Sequence, residues 1–413
     1  MPRSVNLWRH PDFLRLWAAQ FGSAIGSRIT RTVLPMLALL MVEASPSQVA
    51  ILASCEVAPG LVVSLFAGGL ADRRAKRPLL IRADLFRAAL ILTIPLLAGF
   101  DLVQIWHLYL VAFGMGAAST LFAIVDNTYL PVLLPPEALT DANSKLVASD
   151  AVAEGIGPWL GGVLVQLIGA PLALVFDAVS YLWSAALLSK IKTPETPGTE
   201  PDAASLFADA KEGFQRCRNH PALAPLLSVE LLDALAGGFL MAFYLVIAIS
   251  LLGISPAMIG LIIGIGGIGA FLGAMVTAPL ENRLGEARAL QASLIVGRLV
   301  SLCIPLAIHF PDAAVWLLIA GQLVGDAALV TFAILALSLR QRAAPSEVLG
   351  RINASFQLIS QTALLAGTVL AAILALWLPL PVLVWTGAVI GLLTIPLAFR
   401  LPLTARENAD ILP

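Results

Sequence analysis

Two pairs of acids lie one helical turn apart within otherwise apolar stretches: Asp150 with Glu154, and Glu230 with Asp233. Residues three or four apart share a helix face, so each pair repels itself when both members are ionised. Burial and a like charge both favour the neutral acid, which lets one member of a pair hold a proton near neutral pH. A carboxyl that is protonated on one side of a barrier and released on the other is the chemistry of proton coupling. Glu154 is the first candidate, because it precedes the helix-bending pair Gly157-Pro158. Asp126 and Asp233 come next, followed by Asp150 and Asp326. The plain alternative for each is an acid that satisfies a buried arginine such as Arg298 or caps a helix, and for Glu230 that alternative is favoured.

Arg28 and Arg31 also share one face. At 1.5 Å per helical residue, Arg28 lies roughly 20 Å from the cytoplasmic end of its helix. An ionisable side chain at that depth costs about 2.5 kcal/mol or more, so it needs a partner or a task. Two readings stay open. Either Arg28 pairs with Glu56 of the next helix, or the arginines face a cleft and hold an anionic or carbonyl-rich substrate. Tyr129, Phe239 and Phe243 can line such a cleft, although aromatics at helical spacing more often pack or anchor. Asp84 and Asp177 read as structural.

The elements that position these residues follow from composition. Of 413 residues, 59% are hydrophobic and 12% charged, against about 25% charged in soluble domains. Whole stretches are apolar, which predicts an all-α membrane protein. Pro, Gly and charge divide the chain into twelve segments of about 20 residues, the length that crosses a bilayer. They fall near 12–41, 47–70, 78–99, 104–134, 143–168, 172–190, 222–252, 257–280, 288–310, 314–341, 350–377 and 381–400. A Pro-rich hydrophilic linker over 191–220, with a possible interfacial helix, separates bundles at 1–190 and 221–413. Lys and Arg fall on alternate loops, including Arg73, Arg74, Arg77, Arg283 and Arg342, which predicts that both termini are cytoplasmic. The N-terminal stretch shows no signal-peptide pattern.

The halves echo each other. At an offset of 210, His10-Pro11 meets His220-Pro221, Ser45-Pro46 meets Ser255-Pro256, and Gly157 meets Gly367. Six spans per half make this a parallel repeat, the arrangement in which two bundles rock about a central cleft.

GGLADRRAKRP, from Gly68 to Pro78, resembles the signature loop of the major facilitator superfamily, and AEGIGPWLGG resembles the antiporter motif of its proton-coupled exporters. The resemblance implies gating roles for Gly69, Asp72, Arg73, Arg74, Arg77 and Arg283. In the antiporter motif it implies the same for Gly157, Pro158, Gly161 and Gly162, where small residues let helices approach closely. Ala75 replaces a glycine of the signature, and Asn282 replaces its acid in the second half. Together with FLRLWAAQFGSAIGS and VFDAVSYLWSA, these stretches resemble the branch of enterobactin exporters and macrolide-efflux transporters. That resemblance implies proton-driven efflux of a small amphipathic drug, macrolide or siderophore-like molecule through a bacterial inner membrane. Uptake or lipid flipping is the alternative on the same fold, and a nontransporting scaffold or sensor is less favoured.

Other classes find no support. A net charge of -1 offers no basic face for nucleic acid. Cys55, Cys217 and Cys303 form no CxxC pair, so no metal site is signalled. The glycines of IGIGGIGAFLGA lack the strand and acidic ribose ligand of a nucleotide fold. The four histidines are scattered, which argues against an enzyme. No cofactor is expected, and the expected partners are a small-molecule substrate, protons and the lipid bilayer, with the chain monomeric.

Overall fold

The computed structural model describes residues 7–195, 213–344 and 346–401, apart from the side chains of 64–73, 346 and 347. Among these residues the regular elements are helices and no strand occurs. The first half holds α1 (Pro11–Leu40), α2 (Pro46–Arg73), α3 (Lys76–Ala98), α4 (Ile105–Leu133), α5 (Pro136–Ile168) and α6 (Ala170–Ser189). After a short helical stretch over 213–219, the second half holds α7 (Leu223–Val246) and α8 (Pro256–Leu284). It continues with α9 (Glu286–Ser301), α10 (Cys303–His309), α11 (Ala314–Ala343), α12 (Ser346–Leu374), α13 (Leu380–Leu392) and α14 (Thr394–Ala398).

Helix starts follow local chemistry. Proline is the first residue of α1, α2, α5 and α8, where its missing N–H costs no hydrogen bond and its fixed φ suits a helix. The repeated His-Pro is a repeated cap. His10 Nδ1 accepts the Phe13 N–H at 3.1 Å, and His220 Nδ1 accepts those of Ala222 at 3.1 Å and Leu223 at 3.3 Å. Each satisfies donors that a helix start leaves without partners. Between α5 and α6 the chain reverses at Gly169 with φ 85°, a backbone conformation that side chains resist.

Ten helical segments among the described residues are long and apolar enough to cross a membrane. The two long helices outside that set are α1, with Arg28 and Arg31, and α3, with Arg82, Asp84 and Arg87. The expected ninth and twelfth spans each run as two helices, interrupted at Leu302 and Leu393. Both interruptions lie three residues before a proline, Pro305 and Pro396. Proline removes the N–H that would bond four residues back and crowds that carbonyl.

The chain divides into two compact units. One comprises Met1–Ala44, Cys55–Ala203 and Ser255–Gly264; the other comprises Ser45–Ser54, Ala204–Ile254 and Ile265–Pro413. Phe13, Leu16, Leu80, Val125 and Leu188 pack one core of the first unit, and Leu226, Leu290, Leu335 and Phe356 pack one of the second. Outward-facing apolar side chains are numerous, with Leu167 75% and Trp316 73% exposed. Lipid tails are the solvent that leaves such residues at no cost.

Candidate functional site

The first unit places Arg28 of α1 against the acid pair of α5. Its Nη2 lies 2.7 Å from Glu154 Oε2 and 3.3 Å from Asp150 Oδ2. The side chain of Arg28 is 18% exposed, whereas those of Glu154 and Asp150 are 45% and 58% exposed. One guanidinium thus offsets one of two negative charges, and the remaining charge sits on exposed groups. The acids stand one turn apart, so a single arginine crossing from α1 reaches both.

Glycine makes this crossing close. A Cβ on Gly157 would run into the Cβ of Arg28, and one on Gly161 would lie 3.4 Å from the Cα of Ile29. On the next face of α5, Gly162 meets Pro256 and Gly260 at the start of α8, and Gly155 meets Gly264. Pro158 lies within α5, and its carbonyl faces Gly260. The glycine-rich run therefore packs backbone on backbone along much of its length.

Arg28 does not pair with Glu56. Arg31 does, with its Nε 3.5 Å from Glu56 Oε1. The two arginines are three residues apart and diverge: one turns to α5, the other to α2. Asp126 of α4 accepts a hydrogen bond from Gln20 Nε2 at 2.5 Å. Tyr129, Phe239 and Phe243 are fully buried. They fill the interiors of their units, and this conformation presents none of them to a ligand.

In the second unit Asp233 of α7 forms an ion pair with Arg298 of α9, both largely buried. Asp326 of α11 faces Gly266 of α8, where its carboxylate occupies the space a Cβ would take. Trading side-chain bulk for a carboxylate at that crossing keeps α8 and α11 close.

Of the gating motif, Gly69, Asp72 and Arg73 lie in the stretch whose side chains are outside the described residues, and Arg74 and Arg283 are exposed. Arg77 donates its backbone N–H to Glu195 Oε1 at 3.0 Å, and Lys76 donates to Glu195 Oε2 at 2.5 Å. A carboxylate at the start of α3 is well placed against the helix dipole. Ala75 precedes that start with φ -57°, a conformation any residue adopts, so the replaced glycine is not needed there. In the second half, Arg342 pairs with Glu286 and lies 3.8 Å from Glu281.

Sequence reasoning passed over Arg87. It forms an ion pair with Asp84 inside α3, with the two side chains 4% and 0% exposed. The guanidinium carbon lies 4.4 Å from the ring centre of Phe122 and 4.3 Å from that of Tyr181. The signal was present in RADLFRAAL, where an acid and a base three apart interrupt an apolar helix.

Comparison with known proteins bears on the fold and the family. Residues 4–413 match the family model described as transmembrane secretion effector. An MFS-type transporter of Sinorhizobium fredii is 26% identical over 382 residues, covering 89% of each chain. The multidrug efflux pump Tap of Mycobacterium tuberculosis is 28% identical over 185 residues, 43% of each chain. Among solved structures, a bacterial homologue of the iron transporter ferroportin in an inward-facing state superposes with a TM-score of 0.76 at 19% identity, covering 94% of this chain and 98% of the other. The nucleoside transporter NupG superposes with a TM-score of 0.75 at 14% identity, covering 96% and 98%. The chain is a multi-pass membrane transporter rather than an enzyme, and it belongs to the major facilitator superfamily, in its transmembrane secretion effector family.

Proposed function

We propose that the protein exports a small amphipathic molecule in exchange for protons by alternating access, with Glu154 as the coupling carboxylate. The observation that carries this reading is the unequal charge of Arg28, Asp150 and Glu154: one cation faces two exposed carboxylates. With both acids ionised the site holds a net negative charge, which attracts either a proton or a positively charged head group. The two compete for the same oxygens, and competition is what makes a carrier exchange one for the other. Arg28 is already committed to the acids, so it holds them in place and keeps an anionic substrate out of first preference. Gly157-Pro158 lies one turn beyond Glu154 in a helix that can bend there. A change of charge at Glu154 is thus adjacent to the place where α5 can change shape.

Support for outward transport comes from the family description and from the likeness to an efflux pump. The reading takes the membrane to be the bacterial inner membrane, the termini cytoplasmic, the chain monomeric, and Asp126, Asp233 and Asp326 secondary to Glu154.

The test is flux in reconstituted vesicles under an imposed pH gradient, using tetraphenylphosphonium, a neutral macrolide and an anionic catecholate siderophore. Gradient-driven movement of the cationic or neutral compound, against the proton flow, is the expected result. Movement with the proton flow, or of the siderophore alone, would replace this reading with another.

A further inference from the structure

Inside the first unit, away from the Arg28 site, Arg87 is surrounded by more negative charge than it offsets. Asp84 pairs with it directly. Asp126 of α4 and Asp177 of α6 also lie within its electrostatic reach. Three carboxyls therefore share the field of one guanidinium, which pairs directly with Asp84, and Tyr181, whose ring it lies over, is neutral at ordinary pH. The neighbours on α1 are uncharged: Gln20 contacts Asp126, and Thr30 contacts Asp177. The cations of that helix are engaged elsewhere: Arg15 by Asp12, Arg28 by Asp150 and Glu154, and Arg31 by Glu56.

The partners distinguish the three acids. Asp84 has the arginine. Asp126 and Asp177 have only neutral partners, which bind a carboxylic acid as readily as a carboxylate. Asp177 is 0% exposed, with Thr30 Oγ1 against one oxygen and Ser180 Oγ 3.1 Å from the other. Serine and threonine hydroxyls can donate or accept, so they fit the neutral form without rearrangement. Asp126 is only half-buried, so of the two it is the one less enclosed by the protein.

A second observation points to a ligand in this space. Arg87 Nε is buried and makes no hydrogen bond among the described residues, and the buried Asp84 Oδ2 and Ser184 Oγ have only each other. Polar atoms so enclosed ordinarily hold a water molecule. Donor and acceptor atoms of this kind, clustered about a charged pair, give a proton a route as well as a destination.

We infer that Asp84, Arg87, Asp126 and Asp177 form a second proton-binding site, hydrated and internal to the first unit, in which Asp177 is held as the neutral acid and Asp126 exchanges its proton with water. Uptake adds one proton to a carboxylate oxygen of Asp126, taking it from one negative charge to none, while the Arg87–Asp84 pair keeps its charges. The site is defined by equilibrium proton binding and does not rest on the direction or substrate of transport.

Infrared spectroscopy of the full chain in lipid, titrated without substrate, reads protonated carboxyls directly. The expected spectrum carries a carboxylic-acid stretch that persists across neutral pH and is lost in Asp177→Asn. A second component that titrates is expected to be lost in Asp126→Asn, while Glu154→Gln keeps both. Asparagine preserves the shape and hydrogen-bonding capacity of each acid, and monodisperse elution in size-exclusion chromatography identifies the folded variants. If both folded asparagine variants keep the whole carboxylic-acid signal, the second site does not exist. Flux experiments are silent on that outcome, so it is distinguishable from failure of the exchange reading.

Discussion

Arg28 of α1 reaches across to Glu154 of α5 at 2.7 Å, and the crossing is possible because position 157 is glycine. A Cβ there would run into the arginine's own Cβ. The ion pair and the glycine are therefore one feature: the motif that lets the helices meet also brings the charges into contact.

Adding a single methyl group at that crossing should be costly. Gly157→Ala is expected to destabilise the protein by about 1–3 kcal/mol, the usual cost of overpacking, read as a lower midpoint of thermal unfolding in detergent. Gly350, with open space around its missing Cβ, supplies the contrast. Gly350→Ala should leave the midpoint unchanged or raise it slightly, since alanine is the better helix former. Equal effects at both positions would mean that α1 and α5 are not in close contact.

The Asp233–Arg298 pair predicts a specific pattern of rescue. Asp233→Ala alone strands a buried guanidinium and should cost about 3–5 kcal/mol, whereas replacing both members with apolar residues of similar size should recover most of it. Denaturation of the two single variants and of Asp233→Leu with Arg298→Met makes the comparison. No recovery in the double variant would show that the residues act separately.

The His220 cap gives stability a pH dependence. Burial holds its imidazole below the usual histidine range, which keeps the ring neutral, the form that accepts the cap hydrogen bonds. A pKa lowered on folding means that the unfolded chain binds the proton more readily. The contribution is thus complete above the ordinary value of about 6.5 and is lost as pH falls through the folded value. Relative to His220→Ala, the native chain should be more stable by about 1 kcal/mol at pH 8, the worth of a helix cap, and should lose that advantage as pH is lowered through 6 to 5. A constant difference over that range would remove the titrating cap from the explanation.

Much of this fold was legible because a bilayer imposes long apolar helices and the repeat fixes their order. Pro11, Pro46, Pro136 and Pro256 stand where helices begin, and local backbone chemistry alone explains them. What could not be read was partnership. Arg28 and Arg31 share a face, yet the roughly 60° between residues three apart on a helix is enough to send one to α5 and the other to α2. Tyr129 and Phe243 have the composition of cleft residues but are buried, because which side of an apolar helix faces inward depends on its neighbours. The breaks at Leu302 and Leu393 were within reach, since each stands three residues before a proline. The Arg87 cluster assembles from α1, α3, α4 and α6, and no single stretch contains enough of it to be recognised.

Competition between a proton and a substrate at Glu154 is most directly measured by proton release. Tetraphenylphosphonium added to the purified protein in a weakly buffered solution is expected to displace protons as it binds, and Glu154→Gln, which lacks the shared oxygens, is expected to bind the cation more weakly and to displace none. Binding to the native protein with no change in pH, or the same release from the Glu154→Gln variant, would contradict a coupling role for this carboxylate.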